Sequence, residues 1–238
     1  MTEAAGRTLG VLGGMGPAAT VDFLAKLQRA TPAVSDQDHI HVLVDLNPQV
    51  PDRNAALAGT GRSPGPVLAQ MALGLEAAGA QALVMVCNSA HAFAGEIRAA
   101  LTTAPLISLI DETVAEVRRK APQARRVGVL AASACLDAGL YQHAFEAVGV
   151  SAIVPEGELR QRFMTLLYRI KAGEIGPAQR LEMAVIAEAL AQSGAEVIVS
   201  GCTEVPLVLK ADDLGLPLID STDVLVAAAL SFARSKAG

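Results

Sequence analysis

The chain contains one architecture twice. Gly79-Ala80-Gln81-Ala82-Leu83-Val84-Met85-Val86-Cys87-Asn88 recurs 115 residues on as Gly194-Ala195-Glu196-Val197-Ile198-Val199-Ser200-Gly201-Cys202-Thr203. Each copy ends an apolar run on a cysteine and then a small polar residue. Shorter echoes lie at similar offsets: Gly10-Val11-Leu12-Gly13 with Gly128-Val129-Leu130-Ala131, and Pro105-Leu106-Ile107 with Pro217-Leu218-Ile219. A chain of 238 residues can bury a large core, and a duplication divides it into two half-sized lobes rather than one barrel.

The segments between the echoes show what each lobe is made of. Runs rich in Val, Ile and Leu (Leu9–Leu12, Ile40–Leu46, Ala82–Val86, Leu106–Ile107, Val127–Leu130, Ala152–Val154, Val197–Val199, Leu218–Ile219) read as buried strands. Helical periodicity separates most of them, at 18–30, 67–78, 92–101, 112–120, 140–148, 159–171, 178–192 and 222–233. Strand–helix alternation predicts an α/β protein of two pseudo-symmetric lobes, each a mostly parallel sheet flanked by helices. The repeat boundaries assign 1–104 to the first lobe and 105–215 to the second, and the match of 217–219 to 105–107 suggests that residues 216–238 cross back onto the first. Pro48 to Pro66, broken by Pro51, Gly59, Gly61, Pro64 and Gly65, reads as a long loop.

Charge and composition narrow the function. Nineteen Lys and Arg against 24 Asp and Glu leave a net charge of −5, which offers no basic face for nucleic acid. The longest uncharged stretch, Ala77 to Gly95, is interrupted by Gln81, Asn88, Ser89 and His91 and is not a membrane span. Met1 to Arg7 has no apolar signal core, so a cytoplasmic protein is expected. Three cysteines point to reduced thiols rather than a disulfide framework.

In open parallel sheets ligands bind beyond the carboxyl ends of the strands, and Cys87 and Cys202 both lie just past such ends. A lone cysteine there is usually core. Two at equivalent repeat positions are better explained as a pair approaching one ligand from opposite sides of an interlobe cleft. Backbone N–H groups at the turn would lower a thiol pKa from about 8.5. One thiolate and one thiol flanking a carbon make a base and an acid, which together can invert a stereocentre. Zinc is disfavoured because His91, four residues after Cys87, has no counterpart after Cys202. A Cys87–His91 dyad leaves Cys202 without a purpose, so His91 reads as a packed or solvent-exposed helix residue. Gly13-Gly14-Met15-Gly16-Pro17 opens a helix and suits a small anion such as a carboxylate, but it matches neither nucleotide-binding glycine pattern. None of the five lysines has an evident pyridoxal phosphate setting. Neither cofactor nor metal is expected.

Five motifs in order, Gly13-Gly14-Met15-Gly16-Pro17-Ala18-Ala19-Thr20, Asn47-Pro48-Gln49-Val50-Pro51-Asp52-Arg53, Cys87-Asn88-Ser89-Ala90-His91, Tyr168-Arg169-Ile170-Lys171-Ala172-Gly173 and Gly201-Cys202-Thr203-Glu204, resemble the cofactor-independent aspartate/glutamate racemase family, the aspartate branch most of all. The resemblance implies a substrate in the cleft between two α/β lobes and proton transfer by Cys87 and Cys202. It further implies that Asn88, Ser89, Ala90 and Thr203 hydrogen-bond near the substrate's α-carboxylate or amine. Arg53 and Lys171 would hold a side-chain carboxylate, Met15 would line the pocket, and Glu204 would either act directly or favour a following helix N-terminus. A homodimer is also implied. Two departures stand out: Ser89 replaces an expected threonine, and Cys135 falls where relatives often carry threonine and reads as a buried structural thiol.

The reading is therefore an amino-acid racemase for acidic substrates, aspartate first and glutamate second. A related two-cysteine enzyme, such as a maleate isomerase or hydantoin racemase, is the alternative within enzymes, and a non-catalytic small-acid binding protein is the alternative outside them.

Overall fold

The computed structural model describes residues 6–235; residues 1–5, within the stretch read for a signal core, and the terminal residues 236–238 lie outside it. The elements are β1 (Leu9–Gly13), α1 (Pro17–Ala30), β2 (Val42–Leu46), α2 (Arg53–Leu57), α3 (Gly65–Ala77), β3 (Ala82–Met85), α4 (Ala94–Ala100), β4 (Leu106–Ile107), α5 (Leu109–Lys120), β5 (Arg126–Val129), α6 (Ser133–Asp137), α7 (Leu140–Glu146), β6 (Ser151–Ile153), α8 (Gly157–Lys171), α9 (Pro177–Gln192), β7 (Val197–Ser200), β8 (Leu218–Asp220) and α10 (Ser221–Arg234). Both sheets are four-stranded and parallel, ordered β2-β1-β3-β4 and β6-β5-β7-β8. The same strand order in both sheets is the duplication written in backbone pairing.

Alternation along the central strands divides the interior into three cores. Leu9, Val11, Val84, Val86, Val127, Val129, Val197 and Val199 face a central core with residues of α1, α5, α7 and α10. Leu12, Leu83 and Met85 face α3 and α4, while Leu130 and Ile198 face α8 and α9. Each central strand is apolar on both faces because each face is covered, as parallel sheets require. The central core draws on both lobes, so neither lobe buries its inner face without the other.

The connections differ from expectation in three places. β4 pairs with β3, so residues 106–107 belong to the first sheet. β8 pairs with β7 rather than crossing back, with Ile198 opposite Leu218; the helix after it, α10, packs on α1, and α5 packs on α7 in exchange. A helix length lies between pairing and packing, so a strand can stay with one sheet while its helix covers the other lobe. Within the punctuated segment 48–66, Asp52 caps α2 by accepting from Ala55 N at 2.7 Å, a contribution of about 1 kcal/mol.

Local chemistry places the other helices. Ser108 caps α5, with Asp111 and Glu112 in its first turn and Arg118, Arg119 and Lys120 in its last, matching the helix dipole. Across the lobes Lys26 of α1 meets Asp220 at 2.5 Å and Asp223 at 2.9 Å. Burial lowers its ammonium pKa, but the two carboxylates outweigh that and hold it above the usual lysine range. Among the described residues no helix is long and apolar enough to cross a membrane.

Candidate active site

Cys87 and Cys202 each lie two residues beyond a strand end, after β3 and β7. The neighbouring strands β1 and β5 lead into the glycine-rich turn Gly13–Gly16 and its second-lobe counterpart Ala131–Cys135. These are the points where strand order reverses, and there the carboxyl ends open a crevice. Gly14 has φ +91°, and a Cβ there would lie 2.4 Å from the backbone of Asn47, so only glycine fits this turn.

The turn of the first lobe meets polar groups of the second. A Cβ on Gly16 would sit 3.2 Å from Glu204 Oε1 and 3.9 Å from Lys171 Nζ. Lys171, in the last turn of α8, makes a tight ion pair with Glu204 Oε1. The other carboxylate oxygen, Oε2, accepts a hydrogen bond from the Cys202 thiol at 3.0 Å and one from the Thr203 hydroxyl at 3.4 Å. Burial disfavours the Lys171 cation, but Glu204, Cys202 and Cys87 outweigh it and raise its pKa. One ammonium thus lies within Coulombic reach of both thiols.

The Cys202 thiol corrects a sequence expectation. Burial first, and then the Glu204 carboxylate, push its pKa well above the usual thiol range, with Lys171 only partly opposing them. The turn's partial positive charges do not prevail, because burial and the neighbouring Glu204 carboxylate both act against them. Cys202 in this arrangement is a proton donor. Glu204 lies buried at 3% exposure, held by Lys171 and Cys202 rather than serving as a helix cap.

Arg53 stands at the first position of α2, not in open loop. It donates Nη1 to Val50 O at 3.2 Å and Pro51 O at 3.1 Å, and Nη2 to Met15 O at 3.5 Å, while its Nε is buried without a partner. Next to it Asn54 Oδ1 accepts from Ala134 N at 3.0 Å, which ties the segment carrying Arg53 across to the second lobe. The Met15 and Ala90 side chains are packed in the first-lobe core. Ser89 is buried at the start of the turn after Cys87.

His91 is neither catalytic partner nor exposed. Its Nδ1 donates to Cys87 O at 2.8 Å and its Nε2 accepts from Leu109 N at 3.1 Å; that tautomer follows from the two partners. Burial lowers its pKa to about 4, so it buttresses the Cys87 turn as a neutral ring. Cys135 is fully buried, and burial pushes its thiol pKa up. Among the described residues no group of three or more His, Cys, Asp or Glu side chains converges as metal ligands would.

The sequence reading missed Tyr141 and Ser221, which hold Asn88, and Ser200, whose carbonyl accepts from Ser221. The Tyr141 hydroxyl donates to Asn88 Oδ1 at 2.6 Å, and Asn88 Nδ2 donates to Ser221 Oγ at 3.4 Å. Tyr141 is one of only two tyrosines and falls among apolar residues, where a buried hydroxyl must find a partner; that signal was available. The two thiols are 6% and 7% exposed. An open cavity of about 320 Å³ lies elsewhere, around Lys26, Lys120, Lys210 and Asp220.

Fold and site together define an α/β protein of two like lobes that presents one buried thiol from each around a shared lysine–carboxylate pair. The chain belongs to the Asp/Glu/hydantoin racemase family, whose sequence profile matches residues 12–229. It is 26% identical over 229 residues to a broad specificity amino-acid racemase of Bacillus subtilis, covering 94% of this chain and 96% of that protein. Among solved structures, an aspartate racemase of Picrophilus torridus superposes with a TM-score of 0.85 at 26% identity, covering 96% of this chain and 94% of that one. An aspartate racemase homologue of Pyrococcus horikoshii, at 20% identity and a TM-score of 0.75 over 96% of this chain and all of that one, shares the fold.

Proposed function

We propose that the protein racemises acidic amino acids, aspartate first and glutamate second, by proton transfer between Cys87 and Cys202 without metal or pyridoxal phosphate. The observation that carries this reading is the pair of thiols at equivalent strand ends of two like lobes, with Lys171 within reach of both. A thiolate on one face of the α-carbon takes its proton while the thiol on the other face supplies one. Cys202 is set up as the supplying thiol in the state observed, since it carries its proton against Glu204. In the reverse direction the two exchange roles, and the Lys171 cation favours a thiolate at either position. The unpartnered Arg53 Nε and the Lys171 ammonium are the cations available for a side-chain carboxylate. That favours a dicarboxylate over a neutral hydantoin.

The test is isotope incorporation from L-aspartate in D2O, followed by chiral chromatography and mass spectrometry at early times. Deuterium should appear at the α-carbon of D-aspartate while the remaining L-aspartate stays largely protonated. Cys87→Ser and Cys202→Ser should each stop racemisation, because a hydroxyl of far higher pKa is almost never ionised to act as the base and gives up its proton poorly as the acid. Racemisation near the wild-type rate in both serine variants would overturn the two-thiol mechanism. Binding of aspartate with no turnover would instead support a small-acid binding protein, and turnover of maleate alone a related isomerase.

A further inference from the structure

One side chain touches the neighbours of both cysteines. The Tyr141 hydroxyl holds Asn88, the residue after Cys87. Its ring lies against Gly201, the residue before Cys202, so closely that a Cβ on Gly201 would come within 2.9 Å of the ring. Asn88 follows β3 of the first sheet, whereas Tyr141 lies on α7, which packs on β6, Gly201 follows β7, and Ser221 at the start of α10 bonds the end of β7 at Ser200 O.

The direction of each hydrogen bond is determined by inventory. An amide oxygen only accepts, so Tyr141 donates to Asn88 Oδ1. Ser221 has one hydroxyl hydrogen, which goes to Ser200 O at 2.6 Å; Oγ therefore accepts from Asn88 Nδ2. A flipped amide would set Oδ1 against Ser221 Oγ, which has no hydrogen left to give it, so the orientation is fixed and one Nδ2 hydrogen is left for a ligand. Tyr141, Asn88 and Ser221 are 0%, 2% and 0% exposed, so no bulk water replaces a lost partner. The ring is further held by Phe145, stacked at 6.1 Å between centroids. Burial keeps the phenol pKa well above its usual value, so the donor stays neutral and protonated.

We infer that Tyr141 is a positioning residue that orients the Asn88 amide and holds the two cysteine-bearing turns in register across the lobes. The inference rests on the proposed reading of Cys87 and Cys202 as the proton carriers. Its effect on rate follows from geometry: both thiols must address one α-carbon, and a small misplacement of either turn removes alignment that proton transfer needs.

The test is Tyr141→Phe, which keeps the ring and its stacking and removes only the donor. We expect kcat/KM for aspartate racemisation to fall ten- to a hundredfold, chiefly in kcat, with the fold retained. Because Tyr141 acts through Asn88, the double variant with Asn88→Ala should be no slower than Asn88→Ala alone. A merely structural tyrosine would give additive losses, and that result overturns the inference. An independent readout is side-chain amide exchange in protein labelled with 15N-asparagine. The Asn88 amide, assigned by its absence in Asn88→Ala, should exchange slowly in the wild type and faster in Tyr141→Phe. Unchanged exchange overturns the inference whether or not the protein racemises aspartate. An inactive wild type would refute the racemase reading while exchange alone decides the role of Tyr141. Should Tyr141→Phe not fold, Ser221→Ala probes the same amide from its Nδ2 side, with a three- to tenfold loss expected, again not additive with Asn88→Ala.

Discussion

Replacing Glu204 by glutamine should make Cys202 a markedly stronger acid. The substitution is nearly isosteric, and the amide oxygen can still accept the thiol hydrogen bond now seen at 3.0 Å, so the main change is one negative charge. Two unit charges about 4 Å apart at an effective dielectric of about 20 interact by about 4 kcal/mol. That energy is a ceiling on what the carboxylate costs a neighbouring thiolate. Lys171 now offsets part of the Glu204 charge, which lowers the expected effect; in the variant its ammonium stays near the thiol and acts in the same direction. The pH midpoint of Cys202 is therefore expected to fall. The assay is alkylation by iodoacetamide as a function of pH, with each cysteine quantified by peptide mass spectrometry, because only the thiolate reacts. Restricted access of the reagent to the sulfur scales the rate but leaves the pH midpoint in place. Cys135, fully buried with its thiol pKa raised, serves as an unreactive internal control. A Cys202 midpoint that stays put or rises in Glu204→Gln would refute the assignment of the carboxylate as one of the two causes, with burial, of the raised thiol pKa.

Arg53→Ala should raise KM for aspartate about ten- to a hundredfold, the equivalent of a charge-assisted bond of about 1.5–3 kcal/mol, and Arg53→Lys should rescue it poorly because the planar fork is lost; an unchanged KM would remove Arg53 from the site. His91 makes stability fall in acid: the unfolded ring takes up a proton below about 6.5, whereas the buried ring does so only near 4. Folding should therefore weaken as pH drops through that interval, by up to about 3 kcal/mol. Urea midpoints at pH 7 and pH 5 measure this, and His91→Gln should flatten the difference.

Much of this molecule is decided by residues that neighbour one another in the chain. The strand cores, the helices between them, the cysteine at the end of β3 and of β7, and the glycine turn before α1 follow from local pattern. That is because a doubly covered parallel strand must be apolar throughout and a turn at φ +91° needs glycine. The duplication then implies two like sheets, and the five motifs pick out the candidate residues of the site. What only the tertiary structure decided depends on partners far away in sequence. β8 stays with the second sheet while α10 covers the first lobe, and no local pattern distinguishes that from a strand that crosses back. Asn88 meets Tyr141 53 positions away and Ser221 133 positions away, so nothing beside Asn88 records either contact. The protonated state of Cys202 is of the same kind: thiol, carboxylate and the distant Lys171 share a buried volume where charges act strongly, and only the docked lobes create that volume.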